Sequence, residues 1–319
     1  MRRFSMLLFL VLSGGASWTM AQPYPTKPIR LVVPYPPGGP TDFVGRAGSA
    51  RLTELLGQQM VVDNRAGAGT VIGSEIIARA APDGYNLLFG TGGGTFLAPL
   101  ILPKVPYDPQ KDFAPVAMLV MSPQVLVVHP SIGANSVKEL IAVAKAKPGQ
   151  LNFSSVGNGT SPHLGGELFK SLAGVDIVHI PYKGTAPAMT DLIAGRVQMA
   201  WSSIPTVLTH VQAGRLKMLG TGGTRRSPAL PDIPPIADTL PGYELVTWYG
   251  IFAPTGTPAA IINRLNTETA KVLKDADTVK RFSEQGLEPV VMTPQELKRY
   301  TENDVTRWTR LIKAANIKG

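Results

Sequence analysis

The strongest constraint in this sequence is a repeated order of short β-rich runs, small-residue turns and amphipathic helical runs. Residues 29–34 form the first strand candidate, and a Pro/Gly turn separates them from a helical segment at about 41–56. A strand candidate at 60–62, a helix at about 70–79 and a strand candidate at 86–90 repeat the order. This alternation predicts an α/β fold with a mostly parallel sheet and helices on both faces.

The same order restarts in the second half of the chain. Its strand candidates are residues 124–129, 150–155, 178–181, 197–201, 216–220 and 245–253. We therefore predict two α/β units, between which the chain crosses near Ser122 and again near Thr247. On this division the first domain is discontinuous and comprises residues 22–122 and 247–319, and the second comprises residues 123–246.

Capping signals mark several of the helix starts. Residues 136–139 and 293–296 have the sequence and spacing of a capping box. Ser161 precedes Pro162, an order that suits an N-cap residue followed by proline in the first helical position. A long helix is predicted to begin just after Thr257, with Ile261, Leu265 and Leu273 on its apolar side.

The N-terminus carries the three parts of a secretory signal peptide. Arg2 and Arg3 supply a positive region, residues 6–12 supply an apolar core, and residues 19–21 (Thr-Met-Ala) supply a small-residue cleavage site. A membrane anchor is the alternative, but it needs about 20 consecutive apolar residues and this core is shorter. We predict that residues 1–21 are cleaved off after Ala21 and that the mature protein is periplasmic.

Composition excludes several kinds of chemistry. The chain has no Cys, which excludes disulfides, thiolate nucleophiles, iron–sulfur clusters and a lipid-modified N-terminal Cys. The four His residues, at 129, 163, 179 and 210, do not have metal-ligand spacing. The G-x-S-x-G, H-E-x-x-H and Walker motifs are absent from the sequence. We therefore predict no metal, no cofactor and no catalytic residues.

The charge balance gives a weaker constraint. The chain has 31 Lys+Arg against 22 Asp+Glu, a formal net charge of +9, and signal cleavage would remove Arg2 and Arg3. The remaining basic residues form no stripe, and Arg225-Arg226 is a lone pair beside a Pro-rich segment. We expect no nucleic-acid partner, because a positive balance focuses a field only where the charges cluster.

Three loops of small residues lie where a predicted strand ends and a predicted helix begins. They are residues 36–42, 90–95 and 154–161. Such loops lie at the carboxyl edge of a parallel sheet, where open α/β folds bind their ligands. Helix N-termini favour anions, and Ser and Thr hydroxyls add uncharged donors. Three such loops around one cleft would suit a small carboxylate or phosphate.

Several side chains in and near these loops have two open interpretations. Asp42 could cap its helix or approach the ligand, although a carboxylate repels an anion. His163 could contact the ligand or be a hydrogen-bonded structural residue, and Tyr182 could donate to the ligand or fill the core. Ser202 is a donor candidate at the end of a predicted strand. Residues 248–249 (Trp-Tyr) could form a wall of the cleft or pack in the core.

Ordered matches along most of the chain give a resemblance to a known family. The matching segments are YPTKPIR at 24–30, PYPPGG at 34–39 with Asp42, VDNRAGAG at 62–69, AAPDGY at 80–85, YDP at 107–109, KDFAPV at 111–116, HLGGELF at 163–169, PYKG at 181–184, MTDL at 189–192 and APTGTP at 253–258. In these motifs the chain resembles the Bug-type, or tripartite tricarboxylate transporter (TctC-like), family of periplasmic substrate-binding proteins. The resemblance extends from Tyr24 to Ile317.

This resemblance implies a type II periplasmic-binding-protein fold, in which two α/β domains joined by two crossings close on a ligand like a flytrap. It also implies a non-enzymatic protein that binds a small organic acid and delivers it to the permease subunits of a tripartite tricarboxylate-type transporter. We expect a monomer that diffuses freely, since the chain has no Cys for lipid attachment.

The resemblance also places the ligand carboxylate between loops of the two domains. Gly38, Gly39, Thr41 and the loop around Thr91 would meet it from one side, and residues 155–161 with His163 from the other. The complete set of predicted ligand contacts is Gly38, Gly39, Thr41, Thr91, Gly92, Ser155, Gly157, Asn158, Thr160, Ser161, His163, Tyr182 and Ser202.

In this family the distal end of the ligand sets specificity. Relatives carry a more polar or acidic pair near the strand end that is Trp201-Ser202 in this chain. The ammonium group of an amino acid requires a carboxylate partner. The departure therefore favours an aromatic or aliphatic mono- or dicarboxylate over an amino acid.

Two other functions are compatible with the sequence. The same fold could present its ligand to a sensor histidine kinase instead of a permease. An exported hydrolase would need a nucleophile, a base and a third group that orients the base. Ser161 and His163 lie near one loop, but no orienting carboxylate can be assigned to them.

Overall fold

The computed structural model describes residues 24–318. The signal peptide predicted at residues 1–21 lies outside the described residues. Among the helices of the described part, none combines the length and the apolar character that a membrane span requires.

The ten strands of the described residues join in one sheet, and one long strand belongs to both of its halves. In chain order the strands are β1 (Ile29–Val33), β2 (Met60–Asn64), β3 (Asn86–Thr91), β4 (Phe113–Val128), β5 (Asn152–Ser155), β6 (Val178–Pro181), β7 (Met199–Ser203), β8 (Lys217–Thr221), β9 (Val246–Pro254) and β10 (Glu288–Pro289). The sheet order is β2-β1-β3-β9-β4-β7-β5-β6, with β10 and β8 paired to different parts of β4.

Helices pack on both faces of the sheet. They are α1 (Pro40–Leu56), α2 (Val71–Ala78), α3 (Val137–Ala146), α4 (Ser161–Ala173), α5 (Thr185–Ile193), α6 (Ile204–Gln212), α7 (Ala259–Val272), α8 (Ala276–Ser283) and α9 (Pro294–Ala314). Successive side chains of β1 enter different buried clusters, because they point to opposite faces. Leu31 joins Val44 of α1 and Leu265 of α7, whereas Val32 joins Ile77 of α2. The predicted α/β class is confirmed.

The prediction of a mostly parallel sheet is correct for the pairings of β1 and β5 and wrong for those of β4 and β9. Strand β1 pairs in parallel with β2 and β3, and β5 pairs in parallel with β6 and β7. Each described pairing of β4 or β9 is antiparallel. Strands β4 and β9 are antiparallel to each other because β4 carries the chain into the second half and β9 carries it back.

The two long strands pair at the predicted crossings. Strands β4 and β9 form a ladder that ends at Pro123 and Val246, and Ser122 pairs with Thr247 next to that end. Beyond the ladder, β4 pairs with β7 and β8 instead. The predicted division into two domains remains a prediction, which this change of partners supports.

Two helical regions differ from the sequence prediction. Helix α6 follows β7 directly and was not predicted, because Pro205 and the β-branched residues of residues 204–212 have low helix propensity. The helix predicted after Thr257 is α7, and a second helix that was not predicted, α8, follows it. Asp275 separates the two, because its carboxylate accepts the Thr278 N–H at 3.0 Å and caps α8.

One of the two predicted capping boxes is complete. The Glu296 N–H donates to Thr293 Oγ1 at 3.2 Å, and the Thr293 N–H donates to Glu296 Oε2 at 2.8 Å. At the other, Ser136 Oγ accepts the Glu139 N–H at 3.1 Å, but Glu139 accepts the N–H of Asn135 and not that of Ser136. Helix α3 therefore has a serine cap without the reciprocal bond of a capping box.

Candidate ligand-binding cleft

A cavity of about 230 Å³ lies between the parts of the chain predicted to form the two domains. Seven of the predicted ligand contacts line it, namely Gly38, Gly39, Thr41, Thr91, Thr160, Ser161 and Ser202. The fold thus brings the three small-residue loops and the end of β7 to one cavity, which we call the cleft.

Four helices begin at the cleft. The N-cap residues of α1, α4, α5 and α6 are Gly39, Thr160, Gly184 and Ser203, and all four line it. Gly39 and Gly184 have no side chain, and the side chains of Thr160 and Ser203 do not cap the backbone N–H groups of their own helices. Because each helix N-terminus carries about half a positive charge and unpaired N–H donors, the four together favour an anion.

Charged side chains are scarce at the wall of the cleft. Among its lining residues Lys183 is the one that carries a charge, and neither Asp nor Glu lines it. Within residues 24–318, no group of three or more His, Asp or Glu side chains could hold a metal ion. The helix N-termini therefore act on a bound anion without a competing carboxylate in the wall.

Ser161 lies one residue beyond its predicted N-cap position. Thr160 occupies the N-cap of α4, and Ser161 is the first helical residue, ahead of Pro162. The Thr160 hydroxyl donates to the Gly157 carbonyl at 2.6 Å, within the loop. Ser161 is 8% exposed at the wall of the cleft, and it remains a candidate ligand contact.

Asp42 stabilises the first loop and does not line the cleft. Its carboxylate accepts hydrogen bonds from the Gly38 N–H, Arg46 Nε and Asn64 Nδ2, each at 3.0 Å. Burial alone would raise the pKa of Asp42, but the hydrogen bonds from Arg46, Gly38 and Asn64 outweigh it and lower that pKa below its ordinary value. The Asp42 carboxylate, ionised at neutral pH, therefore fixes the loop at Gly38, which is neither of the roles considered for it from the sequence.

Thr91 ends β3 at the wall of the cleft and is held by Tyr35. Tyr35 Oη and Thr91 Oγ1 are 2.9 Å apart, and the Gly94 N–H donates to Thr91 Oγ1 at 3.3 Å. Burial raises the pKa of Tyr35 to about 12, so its phenol keeps its proton at neutral pH. Gly92 lies behind this wall, where a Cβ would be 2.6 Å from the indole nitrogen of Trp248.

Two further predicted contacts lie beneath the second-domain loop. Ser155 is 2% exposed, and its Oγ is 2.7 Å from Nε2 of His179. His163 is 3% exposed, and its Nδ1 accepts the Gly159 N–H at 3.1 Å. Of the two interpretations of His163, the structure has the hydrogen-bonded structural one.

A second cavity, of about 790 Å³, adjoins the cleft and shares part of its wall. Gly157, Asn158 and Tyr182 line this second cavity and not the first. The Tyr182 hydroxyl donates to Asp191 Oδ2 at 2.7 Å, so it is already engaged within the protein. These three predicted contacts therefore line the adjoining cavity, whereas Thr160 lines both.

The two crossing strands contribute three residues to the wall of the cleft. The sequence analysis missed Gln124 and Thr247, whereas for Tyr249 the structure has the cleft-wall interpretation. Gln124 of β4 and Thr247 and Tyr249 of β9 line the cleft, and Thr247 Oγ1 is buried without a hydrogen-bond partner in the described part of the protein. Trp248 faces the opposite side of the strand, where its indole N–H donates to Asp304 Oδ2 at 2.9 Å. The available signal was the presence of polar residues in two largely apolar strands, namely Ser122 and Gln124 in β4 and Thr247 in β9.

The two sides of the cleft approach each other closely at two glycines, Gly93 and Gly69. A Cβ built on Gly93 would lie 2.6 Å from Ser161 Oγ, and one built on Gly69 would lie 2.6 Å from the Asn158 carbonyl oxygen. Both distances are shorter than van der Waals contact. These positions therefore require glycine as long as the two sides are this close.

Comparison with known proteins places the chain in one family. The model of the tripartite tricarboxylate transporter family receptor (TctC) matches residues 44–317. The chain belongs to this family. Its members are periplasmic solute-binding proteins and not enzymes, which sets aside the exported hydrolase considered from the sequence.

Three of the relatives show how far the similarity extends. Protein BugT of Bordetella pertussis is 36% identical over 313 residues, which cover 98% of this chain and 96% of BugT. Rpa4515 of R. palustris, solved with adipate, has a TM-score of 0.89 and 37% identity over 92% of this chain and 99% of that chain. MatC of Rhodopseudomonas palustris, solved with bound malate, has a TM-score of 0.85 and 31% identity over 91% of this chain and 100% of that one. The predicted family and the two-domain α/β binding-protein fold are confirmed.

Acid should destabilise the folded state of this protein, because two buried imidazoles resist protonation there. Burial lowers the pKa of His163 to about 4, and burial with the charges of His163 and Lys170 lowers the pKa of His179 to about 3. The unfolded chain, in which histidine has a pKa of about 6.5, then binds more protons than the folded chain below that pH. The free energy of unfolding should fall as the pH drops from about 6.5 through about 4.

Urea denaturation at several pH values in this window measures the effect. The double variant His163→Asn/His179→Gln lacks both imidazoles, and we expect its stability to change less with pH than that of the wild type. An identical pH dependence of the two proteins would contradict a buried neutral pair.

Proposed function

We propose that this protein binds a small organic carboxylate without an amino group in the cleft and delivers it to the permease subunits of a tripartite tricarboxylate-type transporter. The observation that carries the proposal is the convergence of four helix N-termini, without capping side chains, on a cavity whose wall has no acidic residue. Such a site attracts an anion and offers it N–H and hydroxyl donors.

The family relatives support a carboxylate in particular. Rpa4515 was solved with adipate and MatC with malate, and both align with more than nine-tenths of this chain. A cavity of about 230 Å³ has room for an acid of that size class, either aliphatic or with one aromatic ring.

An amino acid is a poorer fit to the cleft than a simple acid. Its ammonium group would lose water on binding and would need an anionic or strong acceptor group in return. Asp42 is the nearest candidate in the first loop, and Arg46, Asn64 and Gly38 already bind its carboxylate. Trp201 and Ser202, which line the cleft at the end of β7, supply no negative charge.

The transport cycle we propose uses the predicted domain division. After export and cleavage following Ala21, the monomer would close residues 123–246 against residues 22–122 and 247–319 around the ligand. The hinge would lie where Ser122 pairs with Thr247, at the end of the β4–β9 ladder. The permease subunits would then receive the acid from the closed form.

A thermal-shift screen tests the proposed function. The panel contains C4–C6 dicarboxylates, tricarboxylates, benzoate, nicotinate, terephthalate, glutamate and aspartate. We expect an increase in Tm with at least one acid that lacks an amino group, since a ligand at a hundredfold excess over Kd stabilises the folded state by about 2.7 kcal/mol. A shift with glutamate or aspartate alone, or turnover of esters without any shift, would contradict the proposal.

Removing a hydroxyl from the cleft should weaken binding of the acid identified in that screen. We expect Ser161→Ala and Thr41→Ala each to cost about 1–3 kcal/mol of binding free energy, because a buried ligand oxygen loses its donor. Titration calorimetry measures the change. Ser283→Ala, on the exposed surface of α8, is the matched control and should bind like the wild type.

Adding a methyl group at Gly93 should oppose closure of the cleft. The new Cβ in Gly93→Ala would overlap Ser161, so the two sides could not reach their present separation. We expect weaker ligand binding and a smaller ligand-induced decrease in the radius of gyration by small-angle scattering. Unchanged affinity and unchanged compaction would show that closure does not require this contact.

A further inference from the structure

Two stacked imidazoles lie directly beneath the loop of residues 155–161. The ring centroids of His163 and His179 are 4.1 Å apart, and the rings are inclined by 18°. Phe153 stacks on His179 as well, at 4.9 Å and 26°. The pair therefore forms a rigid layer between strand β5 and the first turn of α4.

Each imidazole is bonded to a different part of the loop. The Gly159 N–H donates to His163 Nδ1 at 3.1 Å, and His179 Nε2 is 2.7 Å from Ser155 Oγ. The same Ser155 hydroxyl accepts the Gly157 N–H at 3.2 Å and donates to the Gly157 carbonyl at 3.1 Å. The loop is thus attached to the pair at its start and at its centre.

We propose that His163 and His179 are positioning residues, which do not touch the ligand but hold residues 155–161 in the conformation that presents Thr160 and Ser161 to the cleft. This inference rests on the proposed function, because it explains how one wall of that binding site is fixed. This role also explains why His163, which the sequence analysis predicted as a ligand contact, lies outside the cleft.

The role requires a neutral His163. A nitrogen that accepts the Gly159 N–H has no proton of its own, so the proton of His163 must be on Nε2. Burial lowers the pKa of His163 to about 4, which keeps it neutral at pH 7. The ammonium group of Lys170 on α4 also lowers the pKa of His179, and Lys170 pairs with Glu167 of the same helix at 3.9 Å.

Loss of the acceptor should release the loop. Gly157 and Gly159 both have positive φ angles, of 139° and 79°. Residues other than glycine rarely adopt this backbone conformation. Without His163 Nδ1 the Gly159 N–H would be buried and unpaired. A loop that opens to water would pair that N–H again but would no longer hold Ser161 at the wall.

Hydrogen exchange of the ligand-free mature protein, followed by mass spectrometry, tests the proposal. His163→Leu keeps the bulk of the side chain without an acceptor, whereas His163→Asn places an amide oxygen close to the Nδ1 position. We expect exchange in peptides covering residues 155–160 to rise about 5- to 100-fold in His163→Leu and to stay near the wild-type rate in His163→Asn. Peptides from α1 and α9 serve as the internal control and should not change.

A pH series on the wild-type protein, with His163→Asn as its control, gives a second test. Protonation of His163 below a pH of about 4 removes the acceptor, so the protection of the loop should fall there, after correction for intrinsic exchange. The same fall should be absent from His163→Asn. Equal protection in wild type and His163→Leu, or equal loss in the Leu and Asn variants, would overturn the proposal.

Binding of adipate by the same set of proteins separates this inference from the proposed function. If the exchange pattern holds and His163→Leu also binds adipate more weakly than His163→Asn, both are supported. If the loop exchange follows the prediction and no acid of the screening panel binds the wild type, the proposed function fails and the loop-positioning role stands. If adipate binds all variants equally although the loop has opened, the link between the pair and the binding site is refuted.

Discussion

Unpaired backbone N–H groups at the starts of α1, α4, α5 and α6 create the electrostatic environment on which the binding site depends. In each half of the molecule these helices follow the carboxyl ends of strands, which places their N-termini along one edge of the sheet. The antiparallel pair β4 and β9 joins the two edges around a single cleft. The anion preference that we propose would therefore be a result of topology, which the side chains in the wall refine.

This arrangement also explains why the net charge of the chain was a poor guide to the site. The sequence has a formal charge of +9, yet Lys183 is the one charged side chain in the wall of the cleft. Donors held by the backbone have fixed positions and lose little entropy when a ligand binds, unlike long Lys or Arg side chains. The surface charge can raise the rate of encounter with an anion, an effect that salt reduces.

The sequence predicted the α/β class, most strands and the small-residue loops, because these features are local. It did not predict α6, whose Pro205 and β-branched residues are weak helix formers, and it did not predict the antiparallel joining of the halves, which depends on long-range pairing. The small-residue pattern around Ser161 identified the cleft, since a strand-to-helix turn fixes where such residues lie.

Individual side chains were harder to assign than the loops that carry them. His163 lies in the first turn of α4, next to the predicted loop, but its ring lies beneath that loop and accepts the Gly159 N–H. Gln124 and Thr247 were missed because the sequence of a strand shows which side chains share a face but not which of the two faces borders a cavity. Knowing where a loop lies is therefore not enough to know which of its side chains reach the ligand.

The central claim is that the cleft recognises the negative charge of a carboxylate through these helix N-termini. Titration calorimetry with an acid and its uncharged primary amide tests this most directly, beginning with adipate and adipamide and then using the panel acid with the largest Tm shift. We predict that the acid binds at least about 100-fold more tightly than the amide of the same length, because charge-assisted hydrogen bonds are lost in the amide. Equal affinity for the two would contradict the account.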